Sequence, residues 1–465
     1  MEQANSLTQP NSFIDPAGVV YENSDVMLRG IRSPYVDFYA ALKHNPKIQA
    51  MLGEQLVETQ WNAEKLDGYS LTLQHRKITP LNFCYEWIPL MLKDAALQTL
   101  EICINLSSDG LTLQDATPWN VVYEHTHPYF VDISSIVTKD AHLLWEAYDQ
   151  FVRLFLLPLL LYQYFPDRMV RGITYDSIQG ISRESVIQVL PMKAMLRTPW
   201  LLGRLFLPHW VLSFMRQIKK EKSLSGLMKQ INPKQSQREG FFTSLRQDVL
   251  SIDLKPKNSQ WTRYYQDMDS FFFSTRYNQK QTVVANVLQR IHPKTVLDVG
   301  CNRGGYAVLA AQSGAKVVAF DTDVSSIGLL YQLAKDHSLK ILPLVMDVLN
   351  PSPSCGWRQR QFTSADQRFR SEMVMALALV HHLAITQLQS FERIVSALSD
   401  YVDKWLLTEF VPLDDVRSQE LRATQRRNMD RYTLDVFIAA LRCEFSVIET
   451  FPSYPEGRTL ILCRR

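Results

Sequence analysis

The stretch VLDVGCNRGGYA, residues 296–307, ends an apolar run on Asp298 and then turns through Gly300, Gly304 and Gly305. Glycines in such a turn let backbone approach a ligand with no Cβ in the way. A dinucleotide loop would read G-x-G-x-x-G, whereas this one reads G-x-x-x-G-G. No Lys-Ser/Thr pair follows the glycines, so the loop is not a phosphate-gripping one. A carboxylate two residues before the first glycine suits a cationic ligand better than a pyrophosphate. A second apolar run, KVVAFDTD, ends on Asp321, with Thr322 and Asp323 behind it. A carboxylate at a strand end can accept two hydrogen bonds from vicinal ribose hydroxyls. A third run ends at Asp347, followed by Val348. The fourth, SEMVMALALVHHLA, ends in Ala378, Leu379, His381 and His382, and a fifth ends on Glu409. A histidine there could act as a general base, because its ordinary pKa lies near neutrality. It could equally start a helix and make only packing or polar contacts. Glu409 is open between acceptor binding and a structural part at the sheet end.

Elements must hold these groups in register. The runs TVLDVG, KVVAFD, ILPLVMD, EMVMALALV, KWLLTEFV, FSVIETF and TLILCRR read as strands, and AVLAAQSGA and SSIGLLYQLAKDH as helices. Continuous apolar strands alternating with helices indicate a parallel sheet covered on both faces. Only PSYPEG separates the last two strands, which is too short for a parallel crossover, so that pair must be antiparallel.

The D-x-G-x-x-x-G loop resembles motif I of the class I S-adenosylmethionine (SAM)-dependent methyltransferases. The resemblance implies a Rossmann-like, seven-stranded sheet with an antiparallel last strand over residues 241–465, and SAM as cofactor. It implies that Asp298, Gly300, Cys301, Asn302 and Gly304 line the cofactor loop and that Asp321, beside Thr322, holds the ribose. It implies that Asp347 and Val348 frame the adenine and that Leu379 lies beside the transferable methyl. His381, His382 and Glu409 are then the candidates for catalysis. The reaction would be an in-line displacement at the methyl, leaving orientation, desolvation and deprotonation of the acceptor to the protein. Trp261, Tyr264 and Tyr265, upstream of the loop, are candidates for a lid or for core packing.

A chain of 465 residues exceeds what one core usually serves. Residues 216–240 are polar and basic, and read as a connector behind an α+β domain at 1–215. In that domain GVVYENSDVMLRGI has the form of a hairpin, and LKDAALQTLEICINL has helical apolar spacing. LQDATPWNVVY followed by YFVDISS puts Asn120 five residues after Asp115 and Asp132 twelve residues after Asn120. This spacing resembles the catalytic loop and metal-binding aspartate of protein-kinase-like folds. The resemblance implies that Asn120 and Asp132 hold Mg²⁺ if the domain takes ATP. Leu113-Gln114 stands where those folds have His-Arg, Ser134 replaces the glycine after the aspartate, and no glycine-rich loop or Val-Ala-x-Lys strand precedes. CYEWIP, around Glu86, is the expected hinge between lobes.

Most of the chain, apart from residues 182–240, is similar to bacterial nodulation-protein-like methyltransferases. The segments that carry this are SFIDPAGVVYE, YEWIPLMLKDAALQTLEI, LQDATPWNVVY, YFVDISS and VLDVGCNRGGYAVLAA through ALALVHHLAI.

The formal net charge of +3 is too mild to call for a nucleic-acid partner. Six scattered cysteines, with no C-x-x-C pair, fit a reducing cytosol. MEQANSLTQPNSF lacks the basic and apolar regions of a signal peptide, so a cytoplasmic location is expected. The apolar run at 154–165 is too short to span a bilayer, and that at 199–215 carries Arg204 and His209. Both read as buried helices, with contact at a membrane surface or an apolar acceptor as the minor reading. The leading expectation is a methyltransferase for a small-molecule, glycan or lipid-linked acceptor that the N-terminal domain helps to select. The alternatives are an ATP–Mg²⁺ phosphotransferase or bifunctional enzyme, and a SAM-binding scaffold without turnover.

Overall fold

The computed structural model describes residues 15–23, 25–61, 66–140, 143–174, 179–206, 234–254, 277–423 and 429–465. Two compact units divide the chain: 1–85 with 89–255, and 86–88 with 256–465. Most of the connector expected at 216–240, and the aromatic residues Trp261, Tyr264 and Tyr265, lie outside the described residues.

The first unit opens with the expected hairpin. Strands β1 (Gly18–Glu22) and β2 (Val26–Ile31) pair antiparallel, with Tyr21 opposite Leu28. With β3 (Thr59–Trp61) and β4 (Leu71–Arg76) they form a four-stranded antiparallel sheet in the order β1-β2-β4-β3. The helix Pro89–Ser107 buries Met91, Ala95, Thr99, Ile102 and Leu106, a stripe at three- and four-residue spacing. Two small ladders follow. Strand β5 (Leu111–Leu113) pairs with β8 (Ile136–Thr138), and between them β6 (Val121–Glu124) pairs with β7 (His127–Phe130). The apolar run near residue 160 is the buried helix Leu157–Tyr164. Among the described residues no helix is long and apolar enough to cross a membrane.

The helix Gln235–Ser251 belongs to this first unit, so the boundary falls at 255/256 and not at 240/241. Phe242, Leu245 and Val249 form its buried face. Lys93 closes its end by donating from Nζ to the carbonyls of Leu250 (3.0 Å) and Ile252 (2.7 Å), which the helix itself leaves without donors. Local pattern could not show this, because Lys93 lies 157 and 159 positions upstream of the carbonyls it caps.

The second unit is built on one seven-stranded sheet: β9 (Thr295–Val299), β10 (Lys316–Asp321), β11 (Ile341–Val345), β12 (Ser371–Ala376), β13 (Val402–Phe410), β14 (Val447–Pro452) and β15 (Thr459–Arg464). Their order is β11-β10-β9-β12-β13-β15-β14, with β15 antiparallel to both neighbours. The chain winds outward from β9 to β10 and β11, then returns to place β12 on the other side of β9. That reversal opens a crevice beyond the carboxyl ends of β9 and β12, which is where ligands sit in open α/β sheets. Residues 86–88 group with this unit. Glu86, fully buried, accepts from both terminal nitrogens of Arg368, so it is a clamped ion pair and not the free hinge expected from CYEWIP.

Candidate functional site

The loop after β9 needs its glycines. Gly300 and Gly304 have φ of +71° and +78°, in the left-handed region that favours glycine. A Cβ on Gly300 would lie 2.9 Å from Leu379 Cδ1, and one on Gly304 would lie 2.4 Å from Leu330 Cδ1. The loop is pinned to β10, because the amides of Gly300 and Cys301 both donate to the Phe320 carbonyl, at 2.8 and 2.9 Å. Gly304 then caps the helix Gly305–Gln312, whose first turn faces the crevice end of the sheet. Cys301 is buried, and burial pushes its thiol well above the ordinary range, so it is an inert thiol.

Asp321 ties this loop to the next. Its Oδ2 accepts from the Asn302 amide and its Oδ1 from the Asp323 amide, both at 2.8 Å. Burial raises its pKa, and the amides of Asp323 and Asn302 oppose that rise. The Thr322 backbone adds a further hydrogen bond, so the carboxylate is closely oriented, with little of its acceptor capacity left over. Thr322, beside it, is exposed. Asp347 follows β11, where the Met346 amide donates to the Asp321 carbonyl at 3.0 Å. Its Oδ1 accepts from the Leu349 amide at 2.9 Å, and Val348 next to it is buried.

Asp298 is different. It is buried in β9, and its Oδ2 has no hydrogen-bond partner. Burial lifts its pKa to about 7, Lys280 pulls it down and Asp321 pushes it further up. A buried carboxyl oxygen without a donor is costly. A cationic ligand at the loop would remove that cost.

On the other side of the crevice, β12 runs into Ala378, held at φ +51°, then Leu379 and the two histidines. The His381 and His382 rings lie 4.1 Å apart. His381 is 2% exposed and its Nδ1 has no partner. Burial drives its pKa down to about 2, with His382 and Arg458 adding to the fall. Burial, Arg417 and Arg458 take His382 to about 4. Both rings are therefore neutral near pH 7. They can accept a hydrogen bond, but each is a far weaker base than free histidine.

Glu409 does not share that openness. It is fully buried, and Oε2 accepts from Lys280 Nζ (2.6 Å) and from the Ala378 amide (2.8 Å). Oε1 accepts from Ser453 Oγ at 2.6 Å. A carboxylate engaged by three donors is a brace, so the catalytic reading of Glu409 gives way to one in which it fixes the strained Ala378 turn. Lys280, its partner, was missed in the sequence. It is 6% exposed on the helix Gln279–Ile291 and also lies over the Tyr306 ring, 5.0 Å from the centroid. The helix start was legible in Asn278 and Gln281, which form a capping box. Nothing in a polar NQKQ stretch marks a lysine whose partner is 129 residues away. Arg458 and Asp415 were missed for the same reason. They form a buried two-pronged pair at 2.8 and 3.0 Å, and Asp415 also starts the helix Val416–Arg422.

The structure thus brings together Asp298, Gly300, Asn302, Gly304, Asp321, Asp347 and Leu379 at one end of one sheet, with the two histidines across the reversal. Asn120 and Asp132 belong to the other unit. The sheet order, the glycine turn and the unpartnered carboxyl oxygen of Asp298 fit a cationic nucleoside cofactor. They are the features that the resemblance to class I SAM-dependent methyltransferases implies.

The family described as tellurite resistance protein TehB matches residues 264–354. Over nearly the whole chain, the sequence is 29% identical to nodulation protein NoeA of Rhizobium meliloti (strain 1021), covering 98% of this chain and 95% of that protein. Among solved structures, magnesium protoporphyrin IX methyltransferase from Synechocystis PCC 6803 with bound SAH is 14% identical, covers 44% of this chain and 96% of its own, and has a TM-score of 0.30. An O-methyltransferase family protein from Burkholderia thailandensis, also 14% identical, covers 40% of this chain and 54% of its own with a TM-score of 0.29.

Proposed function

We propose that the chain methylates an acceptor bound across the sheet reversal from the glycine loop, and that the N-terminal unit selects or presents that acceptor. The observation that carries the first part is Asp321. Both of its oxygens are oriented by loop amides at the carboxyl end of the sheet, beside a glycine turn in which the Leu379 and Leu330 side chains already fill the places a Cβ would take. Asp321 would hold the ribose, Asp347 and Val348 the adenine, and Asp298 the cationic end. Bound there, SAM supplies a methyl group on a sulfonium, which is already a good leaving group. The protein's own part is orientation and exclusion of water. His381 and His382 are neutral hydrogen-bond acceptors facing that task, and Lys280 with Glu409 holds the turn that carries them. A small molecule, a glycan and a lipid-linked molecule are the acceptor classes to screen.

Calorimetric titration of the full-length protein with SAM tests this. Saturable binding is expected, weakened in Asp321→Ala by about 1.5–3 kcal/mol, roughly 10- to 150-fold. Unchanged affinity would overturn the site.

We infer also that the N-terminal unit has a kinase-like arrangement. What supports this is local: the hairpin β6–β7 lies between Asn120 and Asp132, and β5 and β8, pairing around it, flank the whole segment. A circular-dichroism-monitored truncation series across residues 111–138 would test it. Loss of the unit's fold on excision of the β6–β7 hairpin is expected, and tolerance of the excision would count against it.

A further inference from the structure

A kinase-like segment would assign Asp132 and Asn120 to a divalent cation. The inference below takes from that reading only the choice of Asp132; the rest is geometry. The donors around Asp132 do not suit a metal ion. Arg29, on β2, is 5% exposed and reaches Asp132 Oδ1 through Nη2 at 2.9 Å. Its Nη1 reaches Asp15 Oδ2 at 2.8 Å and also donates to Ser134 Oγ. The Ser134 hydroxyl in turn lies 2.5 Å from both Asp15 Oδ2 and Asp132 Oδ1. One guanidinium therefore spans two carboxylates and the hydroxyl between them.

The surroundings agree. Asn120 makes its contact through its backbone, where the carbonyl accepts from the Val131 amide at 2.8 Å. Asp115 is turned to Gln150, whose Nε2 donates to Oδ1 at 3.2 Å, and burial raises its pKa. His75, fully buried, is pushed down to about 3 by burial and by Arg29, so it adds no charge. Tyr39 donates to the Ser134 carbonyl at 2.7 Å and holds that turn from the other side. Among the described residues, no three His, Cys, Asp or Glu side chains gather so as to hold a metal ion. A divalent cation needs several oxygens converging at about 2.0–2.6 Å. A planar guanidinium instead matches carboxylates set further apart, and it cannot be deprotonated.

We propose that Arg29 is a built-in counter-ion standing where a metal would sit, so that the N-terminal unit takes up neither a divalent cation nor a metal–nucleotide complex at Asp132. Ser134, in the position where glycine is usual, is part of the same device: its hydroxyl fills the space between the two carboxylates. The unit then serves methyl transfer as a binding fold and performs no phosphoryl chemistry.

The test is calorimetric titration of the full-length protein with Mn²⁺ alone and with Mg²⁺–ATP. No saturable heat is expected from the wild type at millimolar ligand, and Asp132→Asn should look the same. Arg29→Met should gain saturable Mn²⁺ uptake in the millimolar range where the wild type shows none, because two carboxylates lose their counter-charge, and Arg29→Met/Asp132→Asn should lose it again. Arg29→Met can cost folding, so its melting is followed with and without Mn²⁺. Restoration by Mn²⁺ supports the proposal. Saturable Mn²⁺ or Mg²⁺–ATP binding by the wild type that Asp132→Asn abolishes overturns it, and so does a folded Arg29→Met that takes up no Mn²⁺. SAM titration of the same variants is the separating control: wild-type affinity there leaves the methyltransferase reading intact whichever way the metal result falls.

Discussion

The two units bury charge in opposite ways. At Arg29 every facing oxygen is taken: Asp15, Asp132 and Ser134 close on one guanidinium. Beyond the glycine loop of the second unit, Asp298 Oδ2 and His381 Nδ1 are buried with no partner at all. Both arrangements concentrate polar atoms away from water and both leave single nitrogens unpartnered, Arg29 Nε and His75 Nε2 among them, but the Asp132 and Asp15 carboxylates are each answered by the guanidinium, whereas an oxygen of Asp298 is not. Burial without a partner costs free energy. Where such an oxygen lies beside a glycine loop at the carboxyl end of a sheet, a ligand can complete it. Density of titratable residues is therefore a poor guide to a site, and unsatisfied capacity is a better one. The same contrast runs within the second unit, where Glu409, with three donors, is closed and Asp298, a few residues of sheet away, is open.

The largest expected effect separates closed from open. Glu409→Ala leaves the Lys280 ammonium and the Ala378 amide buried without their acceptor. Loss of about 3–5 kcal/mol of stability is expected by thermal or denaturant melting. Arg29→Ala should cost a similar amount in its own unit. By contrast Asp298→Asn keeps an oxygen to accept from the Ala307 backbone and should melt close to wild type while binding SAM poorly. Equal destabilisation by Glu409→Ala and Asp298→Asn would break the comparison.

A second prediction concerns pH. With its pKa lifted to about 7, Asp298 carries a proton in the free protein below that pH. A cationic cofactor favours the ionised form, so binding must expel the proton. SAM affinity should therefore rise with pH, by about tenfold from pH 6 to pH 7.5, and level off above that. Calorimetry in buffers of different ionisation enthalpy would report the released proton. Asp298→Asn should flatten the profile, and a profile unchanged in that variant would locate the titrating group elsewhere.

The smallest effect is an absence of change. His381 and His382, with pKa values lowered to about 2 and about 4, stay neutral from pH 5.5 to 8. Once an acceptor is found, kcat should show no histidine limb in that range. A limb near pH 6.5 that disappears in His382→Gln would restore a free-histidine base.

Much of the second unit was legible because its strands, apart from the edge strand β14, are largely buried on both faces. Such strands read as unbroken apolar runs, and each of the seven runs is a strand of the one sheet. The site carboxylates were legible too, because Asp298, Asp321 and Asp347 sit at or just past the ends of those runs. The first unit was harder. Its strands β3, β5 and β8 are three residues each, too short to show a period, and they pair with partners 12 to 27 positions away.

The sequence by itself determined the alternation of strand and helix, the glycine loop and the order of the carboxylates, because each depends on local pattern. Only the tertiary structure decided which polar residues were already answered. Arg29 and Asp132, Lys280 and Glu409, and Arg458 and Asp415 are 103, 129 and 43 positions apart. A charge shows in the sequence, but whether it is spent depends on what the folded chain sets against it.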